Sequence, residues 1–175
     1  EETMNVALAA DINDIKKEHI EYFNKYMERV NIDLHAENRD DVTTDERICT
    51  PETDKGIIPV YFQFGRYLLI SSSRGVLPAN LQGIWCKDYV APWNSDYHIN
   101  INIQMNYWPA ETTGLSEFAQ PFFDYIQKLS EWGKKTAEKT YGCRGWVAHT
   151  VTNPWGFTTL GEHPSWGAFM CAGAW

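Results

Sequence analysis

Polar and aliphatic side chains alternate strictly in a short central segment, DYHININIQMNYWPA. The polar positions are His98, Asn100, Asn102 and Gln104, and isoleucine or methionine fills each position between or just after them. In an extended chain this alternation would place all four polar groups on one face and the aliphatic groups on the other. Tyrosine and tryptophan follow at once. Such a row of neutral hydrogen-bonding groups beside aromatic rings is typical of the wall of a sugar-binding cleft.

Three other segments repeat their apolar residues with the period of an α-helix. Residues 12–30 carry one apolar stripe, which predicts an amphipathic helix that begins at or before Asp11. Residues 57–72 are apolar on nearly all sides, which predicts a helix buried on several sides. In the third helix, residues 116–140, we expect Ser116 at the N-cap, with Gly142 in the left-handed position after the last turn.

The remaining segments predict loops. Residues 35–55 are polar and aperiodic, and we interpret the Thr-Asp-Glu-Arg run inside them as solvated, although charge pairing would order it. Residues 143–167 are interrupted by glycine and proline, and residues 169–175 are expected to begin another helix. Because no series of strands is visible, the pattern predicts an all-α fold. Antiparallel helices joined by long aromatic-rich loops suggest an α-helical toroid with its site among the loops at one end.

Charge and tryptophan are distributed in opposite ways along the chain. Residues 1–55 contain fifteen acidic and seven basic side chains, whereas residues 56–175 contain eight of each. All eight tryptophans lie between Trp85 and Trp175. Nucleic-acid binding requires a basic surface, so this composition argues against such a partner and favours an uncharged carbohydrate.

Targeting segments and metal motifs are not evident in the sequence. No apolar run approaches the length of a membrane span, and the first residues show no charged n-region or cleavable apolar core. The chain opens as if within a helix and stops abruptly, so we expect a piece of a longer protein. The four cysteines have no CxxC spacing, which argues against zinc and is compatible with reduced thiols, although a bridge is not excluded by sequence alone. We expect no metal and no cofactor.

The amides of the central segment allow two interpretations. Asn100, Asn102 and Asn106 could satisfy backbone groups at a loop-to-helix junction, but their density favours ligand binding. A neutral amide cannot serve as a general base unaided, although it can orient an attacking water. A glycosidase built this way also needs a general acid and a negatively charged partner. Three carboxylates are candidates for these roles, but a cap or an ion pair is the favoured interpretation for each: Asp96, Glu111 and Glu162.

Aromatic side chains and histidines supply further candidate sugar contacts. Core packing is the usual role of a single tryptophan, yet six of them lie in loops beside glycine or proline, so we expect one or two to stack on a sugar ring. These six are Trp85, Trp93, Trp108, Trp146, Trp155 and Trp166. His149 and His163 could donate to a hydroxyl, but a structural role is favoured for a lone histidine.

Three longer runs resemble glycoside hydrolase family 95, whose members are α-L-fucosidases and some α-L-galactosidases. They are QFGRYLLISSSRGVLPANLQGIW (63–85), SDYHININIQMNYWPAE (95–111) and GWVAHTVTNPWG (145–156). The resemblance covers roughly residues 12–175. It implies an (α/α)6 barrel catalytic domain that hydrolyses terminal α-linked L-fucose with inversion of configuration.

The same resemblance implies roles for individual residues. Asn100 and Asn102 match the two asparagines that hold the attacking water in the family, one of them made more basic by an aspartate. His98 matches a sugar-contacting position, and a histidine there favours fucose over L-galactose. We expect Trp85, Trp166 and His149 to complete the substrate site.

The family's acid glutamate and its aspartate lie beyond Trp175, and neither Glu111 nor Glu162 matches them. Residues 1–175 are therefore expected to be a fragment of one catalytic domain, truncated at both ends and inactive and marginally stable alone. The implied partner is a fucosylated glycan in a periplasmic or extracellular setting, without nucleic acid or a membrane span. Three alternatives stay open: a non-catalytic carbohydrate-binding helical domain, an α-L-galactosidase of the same family, and a disaccharide phosphorylase, for which no phosphate cradle is visible.

Overall fold

The computed structural model describes residues 2–37, 39–161 and 163–175. Glu162, one of the three candidate carboxylates, lies outside the described residues. The described part is mostly helical, with one small two-stranded sheet, so the all-α prediction is confirmed. The α-helices are α1 (Glu2–Ala9), α2 (Ile12–Met27), α3 (Thr44–Ile48), α4 (Ile57–Ser72), α5 (Asn102–Tyr107), α6 (Pro109–Thr112), α7 (Gln120–Tyr141) and α8 (Pro164–Gly167).

Short 3-10 turns and two strands complete the secondary structure. The 3-10 segments are Pro92–Ser95, Ser116–Ala119 and Met170–Gly173. Strand β1 (Tyr97–His98) pairs antiparallel with β2 (Val151–Thr152), and Tyr97 lies opposite Thr152.

The long helices begin and end where local chemistry requires it. Asp11 caps α2, because its Oδ1 accepts a hydrogen bond of 2.7 Å from the backbone N–H of Asn13. Helix α7 ends at Gly142, whose φ of 64° is left-handed as predicted. The predicted cap at Ser116 is wrong: this residue begins a 3-10 turn, and its hydroxyl donates to Oε2 of Glu111 at 2.6 Å.

The described chain divides into two compact units, Glu1–Tyr67 and Leu68–Trp175. In the first unit, Phe23 and Tyr26 of α2 are buried, whereas Ile12 and Ile15 of the same stripe are exposed. The guanidinium of Arg66 donates to the carbonyls of Tyr26 at 2.6 Å and of nearby residues at the end of α2. A cation at this position satisfies carbonyl groups that the helix leaves unpaired.

Two sequence-based expectations for this region are wrong. The run interpreted as a solvated loop contains α3, and its Arg47 is buried in an ion pair with Asp54, with Nε and Oδ2 2.8 Å apart. Helix α4 was expected to be buried on several sides, yet Tyr61 is 73% and Phe64 52% exposed. The apolar character of α4 therefore produces an open apolar face in this chain.

The second unit has its core between α7, the sheet and the loops that follow α4. The fully buried side chains include Ile70, Ile99, Ile103, Leu115 and Leu129. Neutral hydroxyl pairs connect the elements: Tyr125 with Thr152 at 2.7 Å, and Thr136 with Thr158 at 2.6 Å. The segment 143–167, predicted as loop, contains β2 and α8 within a largely irregular chain.

Candidate functional site

The predicted extended arrangement of the central segment holds only for β1. After His98 the chain turns, and α5 begins at Asn102, so the alternation of residue types does not produce one polar face. The amides of this segment therefore reach different surroundings. Only some of them can belong to one site.

Strand β1 sends its two side chains to opposite sides. Tyr97 is buried, and its ring lies edge-on to that of Tyr125 with 4.9 Å between centroids. Burial raises the pKa of Tyr97 to about 12, so its hydroxyl stays protonated at neutral pH. The opposite side of the strand carries His98, which is half-buried and free to contribute to a surface cleft.

His98 and Asp96 form a hydrogen-bonded pair, with 2.5 Å between Nδ1 and Oδ1. Their side chains are 15% and 14% exposed. An ionised carboxylate can only accept a hydrogen bond, so Nδ1 of His98 carries the proton of this bond. Asp96 thus fixes the orientation of the His98 ring.

The backbone just before this pair adopts an unusual conformation. Trp93, Asn94 and Ser95 have φ values of 49°, 54° and 50°. Three consecutive non-glycine residues in the left-handed region are costly for L-residues, and such strain is concentrated at functional sites. The side chain of Trp93, 70% exposed, is presented by this strained segment.

Helix α5 presents Asn102 at its first position, and its other polar side chains hold the helix in place. Gln104 donates to the carbonyl of Ile99 at 2.8 Å, and Asn106 donates to the carbonyl of Asn80 at 3.2 Å. The hydroxyl of Tyr107 accepts from the backbone N–H of Ala79 at 2.8 Å. Gln104 and Asn106 therefore have structural roles, whereas Asn102 is left exposed at the helix start.

The loop after α4 contributes a second wall. Oδ1 of Asn80 accepts from the backbone N–H of Gln82 at 2.8 Å, which forms a tight turn. Gly83 closes the turn at φ 67°, where a Cβ would lie 3.0 Å from the ring of Trp85. Nε2 of Gln82 donates to the carbonyl of Pro92 at 3.2 Å and so joins this loop to the strained segment.

These elements enclose a cavity of about 410 Å³ lined by Leu81, Gln82, Trp93, His98 and Asn102. It contains amide groups, one imidazole and one exposed indole, with no charged side chain in its lining. Neutral hydrogen-bonding groups around an aromatic ring suit a sugar, whose ring has polar edges and apolar faces. The structure thus brings together His98 and Asn102, two residues that the sequence nominated.

Asn100 lies beside this cavity in sequence but is not among its lining residues. Its Oδ1 is buried and has no hydrogen-bond partner among the described residues. A buried acceptor without a hydrogen-bond partner costs free energy, so a donor that reached this oxygen would stabilise the protein.

The other nominated sugar contacts are placed elsewhere. Trp85 packs over Gly83 and is 43% exposed, and Trp166 in α8 is 55% exposed, but neither lines the cavity. His149 is 1% exposed, and its Nε2 lies 3.0 Å from the hydroxyl of Tyr141. Burial lowers its pKa, which keeps the ring neutral at pH 7. The structure does not bring these three residues to the cavity of His98 and Asn102.

The sequence reasoning missed one polar residue of the cavity and did not single out its tryptophan. Gln82 lies inside a segment that resembles the family, and Trp93 was one of six loop tryptophans without a distinguishing feature. No periodicity could single them out, because the Asn80 turn and the left-handed residues direct them to the cavity.

Within the described residues, no group of histidine, cysteine or carboxylate side chains is arranged to hold a metal ion. All four cysteines are free and exposed. No helix in the described ranges is both long and apolar enough to cross a membrane.

Comparison with known proteins places these residues in context. The sequence profile of the glycosyl hydrolase family 95 catalytic domain matches residues 11–175. Alpha-L-fucosidase 2 of Arabidopsis thaliana is 40% identical over 178 aligned residues, which cover 93% of this chain and 21% of that protein.

Two fungal relatives give a similar result. The probable alpha-fucosidase A of Aspergillus niger is 44% identical over 65% of this chain and 15% of its own length. The protein of the same description from Aspergillus oryzae is 38% identical over 90% of this chain and 23% of its own length. The chain therefore spans about a fifth of the length of the curated relatives that it matches.

Proposed function

The chain belongs to glycosyl hydrolase family 95, and from this premise we propose that it forms the water-positioning part of an inverting α-L-fucosidase. The observation that supports the proposal is the cavity that unites His98 and Asn102 with a neutral lining. The names of the relatives, all α-fucosidases, favour terminal α-linked fucose of a glycan as the substrate.

In this proposal the two asparagines orient the nucleophile. Oδ1 of Asn102 accepts a hydrogen bond from a water molecule in the cavity. Asn100 keeps the second role that the family resemblance implies, although its Oδ1 is buried outside the lining of the cavity in this structure. The water oxygen attacks the anomeric carbon of fucose, and the bond to the glycosidic oxygen breaks on the opposite face. Inversion follows because one displacement occurs.

The protons require two carboxyl groups that the described site does not contain. An aspartate bonded to one asparagine receives the proton of the water through the amide, and a glutamic acid protonates the leaving oxygen. Asp96 is engaged by His98, and Glu111 accepts from Ser116. We propose that the two catalytic carboxyl groups are supplied by other parts of the catalytic domain and that residues 1–175 alone are inactive.

His98 selects the sugar. Its Nδ1 is committed to Asp96, so Nε2 is left for a hydrogen bond with a sugar hydroxyl, which can donate or accept. Trp93 offers the apolar surface against which the methyl group or the ring face of fucose packs. We place the reaction in a periplasmic or extracellular compartment, where glycans are exposed.

The proposal is tested with Asn102→Ala in a full-length enzyme of the family that carries this segment. If Asn102 orients the water, kcat falls by at least about a hundredfold while the affinity for fucose changes less than about tenfold. Asn24→Ala, an exposed asparagine of α2, is the matched control and keeps wild-type kinetics. Equal losses of affinity and turnover would make Asn102 an ordinary sugar contact.

The 175-residue chain by itself provides a second test. It should show no hydrolysis of an aryl α-L-fucoside in a fluorescence or absorbance assay, because the general acid is missing. Measurable turnover that disappears in Asn102→Ala would contradict the assignment of the acid to other parts of the domain. If the full-length enzyme binds fucosides without turning them over, the alternative of a non-catalytic binding domain would replace the proposal.

A further inference from the structure

A second cavity is lined by Asp96 of the Asp96–His98 pair. It measures about 510 Å³, and its lining includes Asn94, Asp96, Trp155 and Phe157. The first cavity contains His98 but not Asp96, and the second contains Asp96 but not His98. One hydrogen bond between these two side chains therefore joins the walls of the two cavities.

Trp155 is the most prominent aromatic group of the second cavity. Its side chain is 83% exposed, although it sits in a turn that is closed by internal hydrogen bonds. Oδ1 of Asn153 accepts from the backbone N–H of Trp155 at 3.0 Å, and the carbonyl of Asn153 accepts from the N–H of Gly156 at 3.0 Å. Because the indole is mostly exposed, these hydrogen bonds and not burial of the ring hold the turn. The turn therefore leaves the ring accessible to a ligand.

Gly156 fixes this turn against α7. Its φ is 77°, and a Cβ at this position would lie 1.8 Å from Cε3 of Trp132. The turn thus packs directly on the Trp132 ring and allows no side chain at its left-handed position. A rigid turn that exposes a large aromatic ring provides a stacking surface with little conformational entropy to lose on binding.

The polar groups of this cavity define what it can accept. The Asp96 carboxylate accepts hydrogen bonds, so it favours hydroxyl donors and repels anionic groups. Trp155 and Phe157 supply apolar faces for a pyranose ring. A neutral hexose meets both requirements, whereas a uronic or sialic acid would bring a second carboxylate close to Asp96.

We propose that the second cavity binds the neutral sugar to which the terminal fucose is attached, with Trp155 as its stacking platform. This inference rests on the proposed function, because it takes the first cavity as the fucose site. The Asp96–His98 pair then contacts both sugars across the bond that is cleaved. Asp96 acts on fucose only through His98, and on the neighbouring sugar directly.

The test compares two substrates in the full-length enzyme. α-L-Fucosyl fluoride has a single atom as leaving group, whereas α-L-fucosyl disaccharides of varied linkage and second sugar require the neighbouring subsite. Trp155→Ala should lower kcat/KM for the best disaccharide by about tenfold or more, mainly through KM, and leave the fluoride within about twofold. Trp155→Phe should retain most of the disaccharide activity.

The controls separate this inference from the function on which it rests. Phe123→Ala removes another exposed aromatic ring, 55% exposed and outside both cavities, and should affect neither substrate. If Trp155→Ala lowered kcat/KM equally for both substrates, or left the disaccharide kinetics unchanged, the proposed subsite would be wrong. A wild-type enzyme that does not hydrolyse the fluoride would overturn the proposed function itself, and the subsite with it.

Discussion

The two units of the chain stabilise themselves with different chemistry. In the first, Glu1–Tyr67, charged groups make the buried polar contacts: Arg47 pairs with Asp54, and Arg66 binds carbonyls at the end of α2. In the second, Leu68–Trp175, buried hydroxyls and amides make them, as in the Tyr107 and Tyr125 networks. Both cavities lie in the second unit, so the Asp96 carboxylate that pairs with His98 at their walls is set among neutral hydrogen-bonding groups, which suit an uncharged sugar.

The largest expected effect comes from Gly156→Ala in the second unit. The added Cβ collides with Trp132 and occupies a left-handed conformation, which should cost about 3 kcal/mol. Hydrogen exchange should show lost protection within residues 68–175 and little change in residues 2–67. The matched control is Gly65→Ala in α4, where a Cβ meets nothing within 4 Å and should stabilise slightly. Equal loss of protection in both units would contradict their separate character.

The charged chemistry of the first unit is tested by Asp54→Asn. The hydrogen bond from Arg47 lowers the pKa of Asp54, so its stabilising contribution is present above the ordinary pKa of 3.8 and is lost as pH falls through the lowered value. The variant should lower Tm by several degrees at neutral pH and remove this acid-dependent loss. Thermal melts between pH 7 and pH 2 measure both effects. An unchanged profile would show that the ion pair contributes nothing.

The neutral network of the second unit is tested by Tyr107→Phe. The hydroxyl of Ser73 donates to the carbonyl of Phe118 at 2.7 Å, so Tyr107 donates to Ser73 and accepts from the N–H of Ala79. Removing one hydroxyl leaves two buried groups short of a partner and should cost about 1–3 kcal/mol by denaturant unfolding. Tyr61→Phe, at a 73% exposed position, should be neutral. An unchanged free energy of unfolding for Tyr107→Phe would show that this hydrogen-bond network does not stabilise the protein.

The smallest effect concerns His149. Burial lowers its folded pKa below the ordinary 6.5, so its contribution is complete above pH 6.5 and decreases as pH falls from 6.5 towards the lowered value. Between pH 7.5 and 5.5 the wild type should lose roughly 2 °C in Tm more than His149→Gln does. A steeper loss in the variant would reverse the sign and show that the histidine is charged in the folded protein.

The helices that could be predicted from the sequence are those whose characteristic pattern lies within the helix itself. The helical periods of α2 and α7 and the glycine at 142 were sufficient to place these helices, since caps and amphipathic stripes lie within the segment itself. The central segment, residues 96–110, shows where a local pattern is not sufficient to predict the secondary structure. Ile103 and Tyr107 are four residues apart, and both are buried. Their spacing fits a helix as well as the alternation of residue types fits a strand.

Contacts distant in sequence settled what the local pattern left open. Strand β1 stops after two residues because its partner β2, some fifty residues later, is equally short. The segment around Arg47 was interpreted as solvated because a polar, aperiodic run does not show whether charge pairing, here between Arg47 and Asp54 seven residues later, orders it. The site divides in the same way: His98 and Asn102 could be nominated from residue type, whereas Gln82 and Trp93 reach the cavity through turns that have no periodic signature.

The most direct test of the central claim is a crystal structure of the full-length enzyme with a non-hydrolysable fucoside. The account predicts that the fucose ring occupies the cavity of Gln82, Trp93, His98 and Asn102, with room for one water between Oδ1 of Asn102 and the anomeric carbon. Fucose bound in a different cavity, with Asn102 out of reach of the anomeric carbon, would contradict it.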